Sequence, residues 1–284
     1  MPQPPNRPRL IQRRLAKTLR RMREEAGLTQ EEASVRMEWS NSKLSRLENG
    51  ETRIDIHWAR SLLDLYDIAG PRADDMMELA RDVLRPGWWK AYGASDKGYV
   101  PLEDDAMAVS DHQVMLIPGL LQTKDYAQRL LRRAGNPNRR RIANDLAVRM
   151  RRQEQLANER PLKLRAVIEE HVLRRTVGGQ SVMRAQLEHL IEAAALPTVE
   201  LRIMPSAVDM HDGIEGAFTV LEYEYPEDPD LVYLDHCAGS MAMEKPDYVG
   251  AGKVTFDSLW DAALDEPGSL ALVRRVIDEV WSVE

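Results

Sequence analysis

Two helix-start signals and a stop fall within residues 29–50, and they leave that stretch little choice of local structure. Thr29, with Glu32 three residues on, forms a capping box: the threonine oxygen accepts from a free amide of the first turn, and the glutamate reaches back to the cap. Ser40 supplies a second N-cap, and the Asn49–Gly50 pair supplies the stop. The spacing predicts one helix from Gln30 to about Met37 and another from the Ser40 cap to just before Asn49. Two short helices therefore meet at a tight turn.

Leu10, Ile11, Leu15, Leu19 and Met22 stand at helical spacing and predict a preceding helix over 10–26 that breaks at Gly27. Residues 54–66, with Ile56, Leu62 and Leu63 inward, and a segment carrying Met76, Met77, Leu79, Ala80, Val83 and Leu84 continue the pattern. Residues 1–85 thus read as an all-α domain, with the proline-rich first eight residues disordered. From Arg85 the periodicity fails, because Pro86, Gly87, Gly93, Gly98 and Pro101 interrupt a stretch that also holds Trp88, Trp89 and Tyr92. Beyond this boundary, residues 106–116, 123–134, 138–158, 180–195, 249–263 and 269–281 read as helices, with a turn at Gly135, Asn136 and Pro137. Residues 164–169, 199–204, 217–223 and 231–234 read as strands. The expected fold class is multidomain, an all-α N-terminal domain followed by an α+β domain over 86–284.

A length of 284 residues suits two domains with separate cores, and 43% hydrophobic with 30% charged residues is ordinary globular composition. No apolar run approaches the roughly 18 residues that span a bilayer, and the N-terminus lacks the apolar core of a secretory signal. A cytoplasmic protein is expected. One cysteine, Cys237, precludes an internal disulfide, while the absence of CxxC and HExxH and the scatter of six histidines give no metal-ligand spacing. Neither metal nor cofactor is expected.

The net charge of −7 is unevenly divided. Residues 1–67 carry 13 Lys or Arg against 10 Asp or Glu, and residues 1–23 hold eight basic residues, including Arg7 and Arg9, and no acidic one. A local field of that sign suits phosphates, though a solvated helix face accounts for it equally well. Residues 40–48 narrow the choice. At about 100° per residue Leu44 and Leu47 share one face, while Ser42, Ser45 and Arg46 point away and Asn41 leads. That is what a reading helix in a DNA major groove requires: Arg46 matches guanine, Asn41 adenine, and Ser40, Ser42 and Ser45 lie where short polar groups meet bases or phosphate. Gln30 can donate to a phosphate or brace the reading helix, and Lys43 and Arg53 look like contacts to the sugar–phosphate backbone.

The run GLTQEEASVRMEWSNSKLSRLENGETRI closely resembles the helix-turn-helix of the xenobiotic-response-element and phage-repressor family, in its TQ start, its LSRLENG centre and its terminal glycine. The resemblance implies double-stranded DNA as ligand and a transcriptional regulator, in the usual case a repressor. It also implies a left-handed residue at the turn, where the family has glycine and this chain has Glu38, a strain on the order of 1 kcal/mol. Further on, GWW at 87–89, LIPGLLQTKDYA at 116–127, RRQEQL at 151–156, VGGQSVMRAQLEHLIE at 177–192 and GAFTVLEY at 216–223 resemble the C-terminal domain of actinobacterial regulators of the WhiJ-like type. That resemblance implies an antitoxin-like regulator encoded beside a small acidic partner protein, and a sensing or partner-binding domain with no assigned binding residues.

Several features admit two readings. The basic run from Arg129 to Arg165, twelve Lys or Arg against three acids, is either a pair of solvated helices or a surface for an acidic partner or DNA. Trp88, Trp89 and Tyr92 suit a core anchor better than a pocket wall, and Met204, Met210, Met241 and Met243 suit core filling. His236 beside Cys237, with His211 and Asp212 upstream, lacks the geometry of a nucleophile and its base, because strand neighbours point to opposite faces. A buried structural cysteine and no enzymatic activity are expected. Because one short helix contacts few bases, a homodimer on paired half-sites is expected too. A small-molecule effector predicts a deep pocket in the second domain, and a protein partner predicts a broad exposed patch.

Overall fold

A computed structural model describes residues 10–95, 98–133, 138–225 and 228–282. The first eight residues, with Arg7, and Arg9 beside them, and the turn at Gly135, Asn136 and Pro137 lie outside the described residues. The chain forms two compact units, one over Pro5–Lys90 with Tyr225–Asp228, the other over Ala91–Glu224 and Pro229–Glu284.

The first unit is helical: α1 (Leu10–Glu25), α2 (Gln30–Arg36), α3 (Asn41–Glu48), α4 (Ile56–Leu65) and α5 (Pro71–Leu84). Leu15 and Leu19 of α1, Leu44 and Leu47 of α3, Leu62 of α4 and Ala80 of α5 have no exposed surface and share one core. Successive helices end in the same way. At Gly27, Glu38, Gly50 and Asp67 the backbone turns left-handed, and the next amide reaches five residues back, as in Leu28 N to Arg23 O at 3.1 Å, Trp39 N to Ser34 O at 2.8 Å, Glu51 N to Arg46 O at 2.8 Å and Ile68 N to Leu63 O at 2.9 Å. At Gly50 it is this left-handed backbone, φ 70°, that favours glycine, since a Cβ there would only touch Arg13, at 3.4 Å.

The second unit is built on a six-stranded mixed sheet of order β3-β2-β1-β4-β5-β6. Its strands are β1 (Ala108–Gln113), β2 (Lys163–Glu169), β3 (Val199–Met204), β4 (Phe218–Glu222), β5 (Leu231–His236) and β6 (Gly239–Met243). β1, β2 and β3 run parallel; β4 returns antiparallel on the other side of β1 and is followed by the antiparallel β5 and β6. The helices are α6 (Tyr99–Asp104), α7 (Lys124–Arg133), α8 (Arg139–Gln153), α9 (Glu170–Arg174), α10 (Gln180–Ala193), α11 (Pro246–Ala262) and α12 (Glu266–Val280). A multidomain chain, helical then α+β, is the fold.

The main departure from expectation is residues 106–116, which form the central strand β1 and no helix. Locally Ser110, Asp111 and His112 break any apolar run, yet all three are buried, because β1 is flanked on both sides and covered on both faces. Their partners are distant in sequence: Thr219 Oγ1 donates to Asp111 Oδ1 at 3.0 Å, and His112 Nε2 lies 3.2 Å from Glu169 Oε1. Strand β6, at the sheet edge, was too weak in pattern to be expected, and β5 runs two residues beyond its expected end.

Alternation along the strands puts Asp111, Thr219 and Tyr233 on one face, where the registers pair Asp111 with Thr219 and Thr219 with Tyr233. Over that face α6, α8 and the 3-10 turn Gly119–Leu121 leave a cavity of about 480 Å³. On the other face α11 packs Phe256, Leu259 and Trp260 against Val167 and Met204.

Candidate nucleic-acid interface

The capping box at Thr29 is complete: Glu32 N donates to Thr29 Oγ1 at 3.2 Å, and Thr29 N donates to a Glu32 carboxylate oxygen at 2.8 Å. The bond from the Thr29 amide, with that from its hydroxyl, holds the Glu32 carboxyl below its usual range. Ser40 caps α3 through its side chain, accepting from Lys43 N at 3.2 Å. Glu38, in the turn between them, has φ 57°, so the left-handed residue implied by the resemblance is present in a glutamate.

What fixes α3 in place is a buried ion pair. Arg23 of α1 and Glu48 of α3 meet with Nε–Oε1 at 2.7 Å and Nη2–Oε2 at 3.1 Å, both side chains nearly without exposed surface. This bond to Glu48 raises the Arg23 pKa against the pull of burial, and Arg23 Nη1 also donates to Leu28 O at 2.6 Å. Gln30 joins the pair, its Nε2 donating to Glu48 Oε2 at 3.1 Å. A bidentate guanidinium–carboxylate bridge fixes both distance and angle between the two helices, which a hydrophobic contact would not.

On the outward side of α3, Asn41, Ser42 and Arg46 are exposed, Ser45 is half-buried, and Leu44 and Leu47 are buried beneath. Arg46 Nε reaches back to Ser42 O at 3.3 Å. Lys43 is held more firmly than a surface lysine: its Nζ lies 4.0 Å from the Trp39 ring centroid and 3.7 Å from that of Trp58, two rings set edge to face at 5.4 Å. Trp39 and Trp58 went unread in the sequence, although Trp39 directly precedes the Ser40 cap. Arg53 lies apart from this cluster, its Nη2 donating to Val83 O at the end of α5 at 2.9 Å.

A family model described as a helix-turn-helix domain matches residues 14–76, covering most of α1 to α5. A second, described as a domain of unknown function, DUF5753, matches residues 97–275. The chain belongs to the DUF5753 family. No curated protein and no solved structure matches it. In this DUF5753 chain the matched region takes in the whole sheet, and the helix-turn-helix domain ahead of it is that of a DNA-binding regulator.

Elsewhere in the DUF5753 region some sequence expectations are corrected. Cys237 is exposed, not buried, because β5 stops at His236 and Cys237 begins the turn into β6. The neighbouring His236 Nδ1 accepts from Ala238 N at 3.1 Å. Of the four methionines expected in the core, Met204 is buried but Met210 is 82% and Met241 51% exposed. Ahead of that region, in the first unit, Trp89 is fully buried and meets Trp88 edge to face at 5.8 Å, as a core anchor does. In the basic run, Arg139, Arg140, Arg141 and Arg151 are exposed, whereas Arg152 turns inward onto Glu103. Among the described residues no helix is long and apolar enough to cross a membrane, and no cluster of His, Cys, Asp and Glu could hold a metal ion.

Proposed function

We propose that this protein is a sequence-specific repressor of the WhiJ-like type that binds DNA as a cytoplasmic homodimer, with α3 in the major groove and the DUF5753 unit as its sensing half. The observation that carries the reading is the two-sidedness of α3: Leu44 and Leu47 are wholly buried, while Asn41, Ser42 and Arg46 are exposed on a helix fixed by the Arg23–Glu48 bridge. Arg46 and Asn41 then read base edges, with Ser42 and Ser45 beside them. Ser40 holds the helix start against the phosphates. Lys43, steadied between two indole rings, presents its charge to the sugar–phosphate backbone from a fixed position. Gln30 acts through Glu48 as a brace, the second of the two roles its position allowed. Arg53 contributes charge without reading sequence.

Fluorescence anisotropy on the preferred duplex tests these roles. Arg46→Ala is expected to cost about 1–3 kcal/mol at that duplex and to relax its sequence preference, while Arg53→Ala weakens all duplexes evenly. Unchanged affinity in Arg46→Ala would remove α3 as the reading helix. A second reading, control by a small acidic protein, is favoured by the exposed arginines of α8. Native mass spectrometry of the chain recovered from its host separates the two, since a protein partner adds kilodaltons and an effector a few hundred daltons.

A further inference from the structure

The cavity over the sheet of the DUF5753 unit holds an imbalance that the fold alone does not require. Two arginines of α8, Arg149 and Arg152, stand one turn apart on its wall. Arg152 is saturated: Glu103, which has no exposed surface, takes it in a two-pronged bridge with Nε–Oε1 at 2.6 Å and Nη2–Oε2 at 2.7 Å. Arg149 has no such partner. Its Nη1 donates at 2.7 Å to Gln122 Oε1, a neutral amide, and no carboxylate lies within ion-pair distance of it among the described residues. Burial, with the like charge of Arg152, draws its pKa down to about 10 against the pull of the more distant Glu103, Asp145 and Asp235 carboxylates.

Opposite, on the sheet, Asp111 is in the converse position. Gln113 Nε2 and Thr219 Oγ1 both bond to the same oxygen, Oδ1, at 2.9 and 3.0 Å, and among the described residues no cation stands within ion-pair distance of the carboxylate; burial raises its pKa. Apolar and aromatic side chains line the same cavity, including the Tyr99 and Tyr233 rings, 4.9 Å apart between centroids. A charge of each sign withdrawn from water, Asp111 buried and Arg149 half-buried, is costly without a partner and is offset when a ligand supplies one.

We infer that this cavity binds a small zwitterion with an apolar body, an amino-acid-like or short-peptide-like compound whose carboxylate meets Arg149 and whose ammonium meets Asp111. A guanidinium with free donors suits carboxylate and phosphate alike. The carboxylates of Glu103, Asp111 and Asp235 line the same space and oppose a multiply charged phosphate, which decides for the carboxylate. A volume of about 480 Å³ is of the size that small-molecule sites take. The inference rests on reading this unit as the sensing half; because ligand binding is measured without DNA, its failure and that of operator recognition are distinguishable.

The test is isothermal titration calorimetry of the full chain with apolar amino acids and di- and tripeptides, each accompanied by its N-acetyl and its C-terminal amide derivative, and with inorganic phosphate. At least one zwitterion is expected to bind saturably, and both of its blocked derivatives to bind at least about tenfold more weakly, one lost ion pair each. Arg149→Met and Asp111→Asn, checked for native circular dichroism, are expected to lose at least as much. The blocked derivatives test the inference on the unaltered protein even where a variant fails to fold. The inference is overturned if no zwitterion binds, if blocking either end leaves affinity unchanged, if binding survives Arg149→Met, or if phosphate binds in preference.

Discussion

Polar residues in this protein are spent where geometry must be exact in both distance and direction, and each carries a cost that can be measured. The Arg23–Glu48 bridge is the plainest instance: it fixes α3 against α1, and its charges are satisfied by each other, by Gln30 and by the Leu28 carbonyl. Asp111 is the contrasting case, because burial raises its pKa and among the described residues nothing of opposite charge stands within ion-pair distance of it. A carboxyl with a raised folded-state pKa favours folding only while it is protonated; that benefit is complete below the unfolded value of about 3.9 and is lost as pH rises through the folded value. Asp111→Asn keeps the shape and both Oδ1 bonds and removes the charge. Scanning calorimetry of the ligand-free chain should therefore show the variant melting above the parent near pH 7, with the gap closing towards about pH 4. A gap that stayed constant or widened on acidification would mean that Asp111 is paired in a way the structure does not contain.

Among elements, helix ends decide the first unit. Four helices in succession close with a left-handed residue, two on glycine at Gly27 and Gly50 and two on acidic residues at Glu38 and Asp67. Glycine at the latter two positions would relieve backbone strain, less the freedom it adds to the unfolded chain. Glu38→Gly and Asp67→Gly are each expected to stabilise the unit by a few tenths to about 1 kcal/mol, read as slower hydrogen exchange in α1 to α4. Exchange that is unchanged or faster would place the cost elsewhere. The same end signals made this unit legible in the sequence: Thr29, Glu32, Ser40 and Gly50 act on residues within a turn of themselves, so their effect needs no knowledge of the rest of the fold. β1 was illegible for the opposite reason. Asp111 and His112 look out of place in a strand until Thr219 and Glu169, more than fifty residues away in the chain, supply their hydrogen bonds. The candidate site divides in the same way. The outward face of α3 follows from periodicity alone, whereas the Lys43 cage depends on Trp58, brought in by a different helix, and Arg149 differs from its exposed neighbours only through the sheet beneath it.

The whole molecule joins the helix-turn-helix domain of a DNA-binding regulator to a mixed α+β unit with a polar-lined cavity. A single α3 spans only a few base pairs, so the proposed homodimer sets two copies on one duplex, their half-sites separated by about one helical turn of 10–10.5 base pairs. Selection of duplexes from a random pool by the full chain, followed by sequencing, tests this most directly. One two-fold-related sequence with that spacing is expected to be enriched, and its base preference to be lost in Arg46→Ala. A pool that emerges without any preferred sequence, or with one that Arg46→Ala selects equally well, would contradict it.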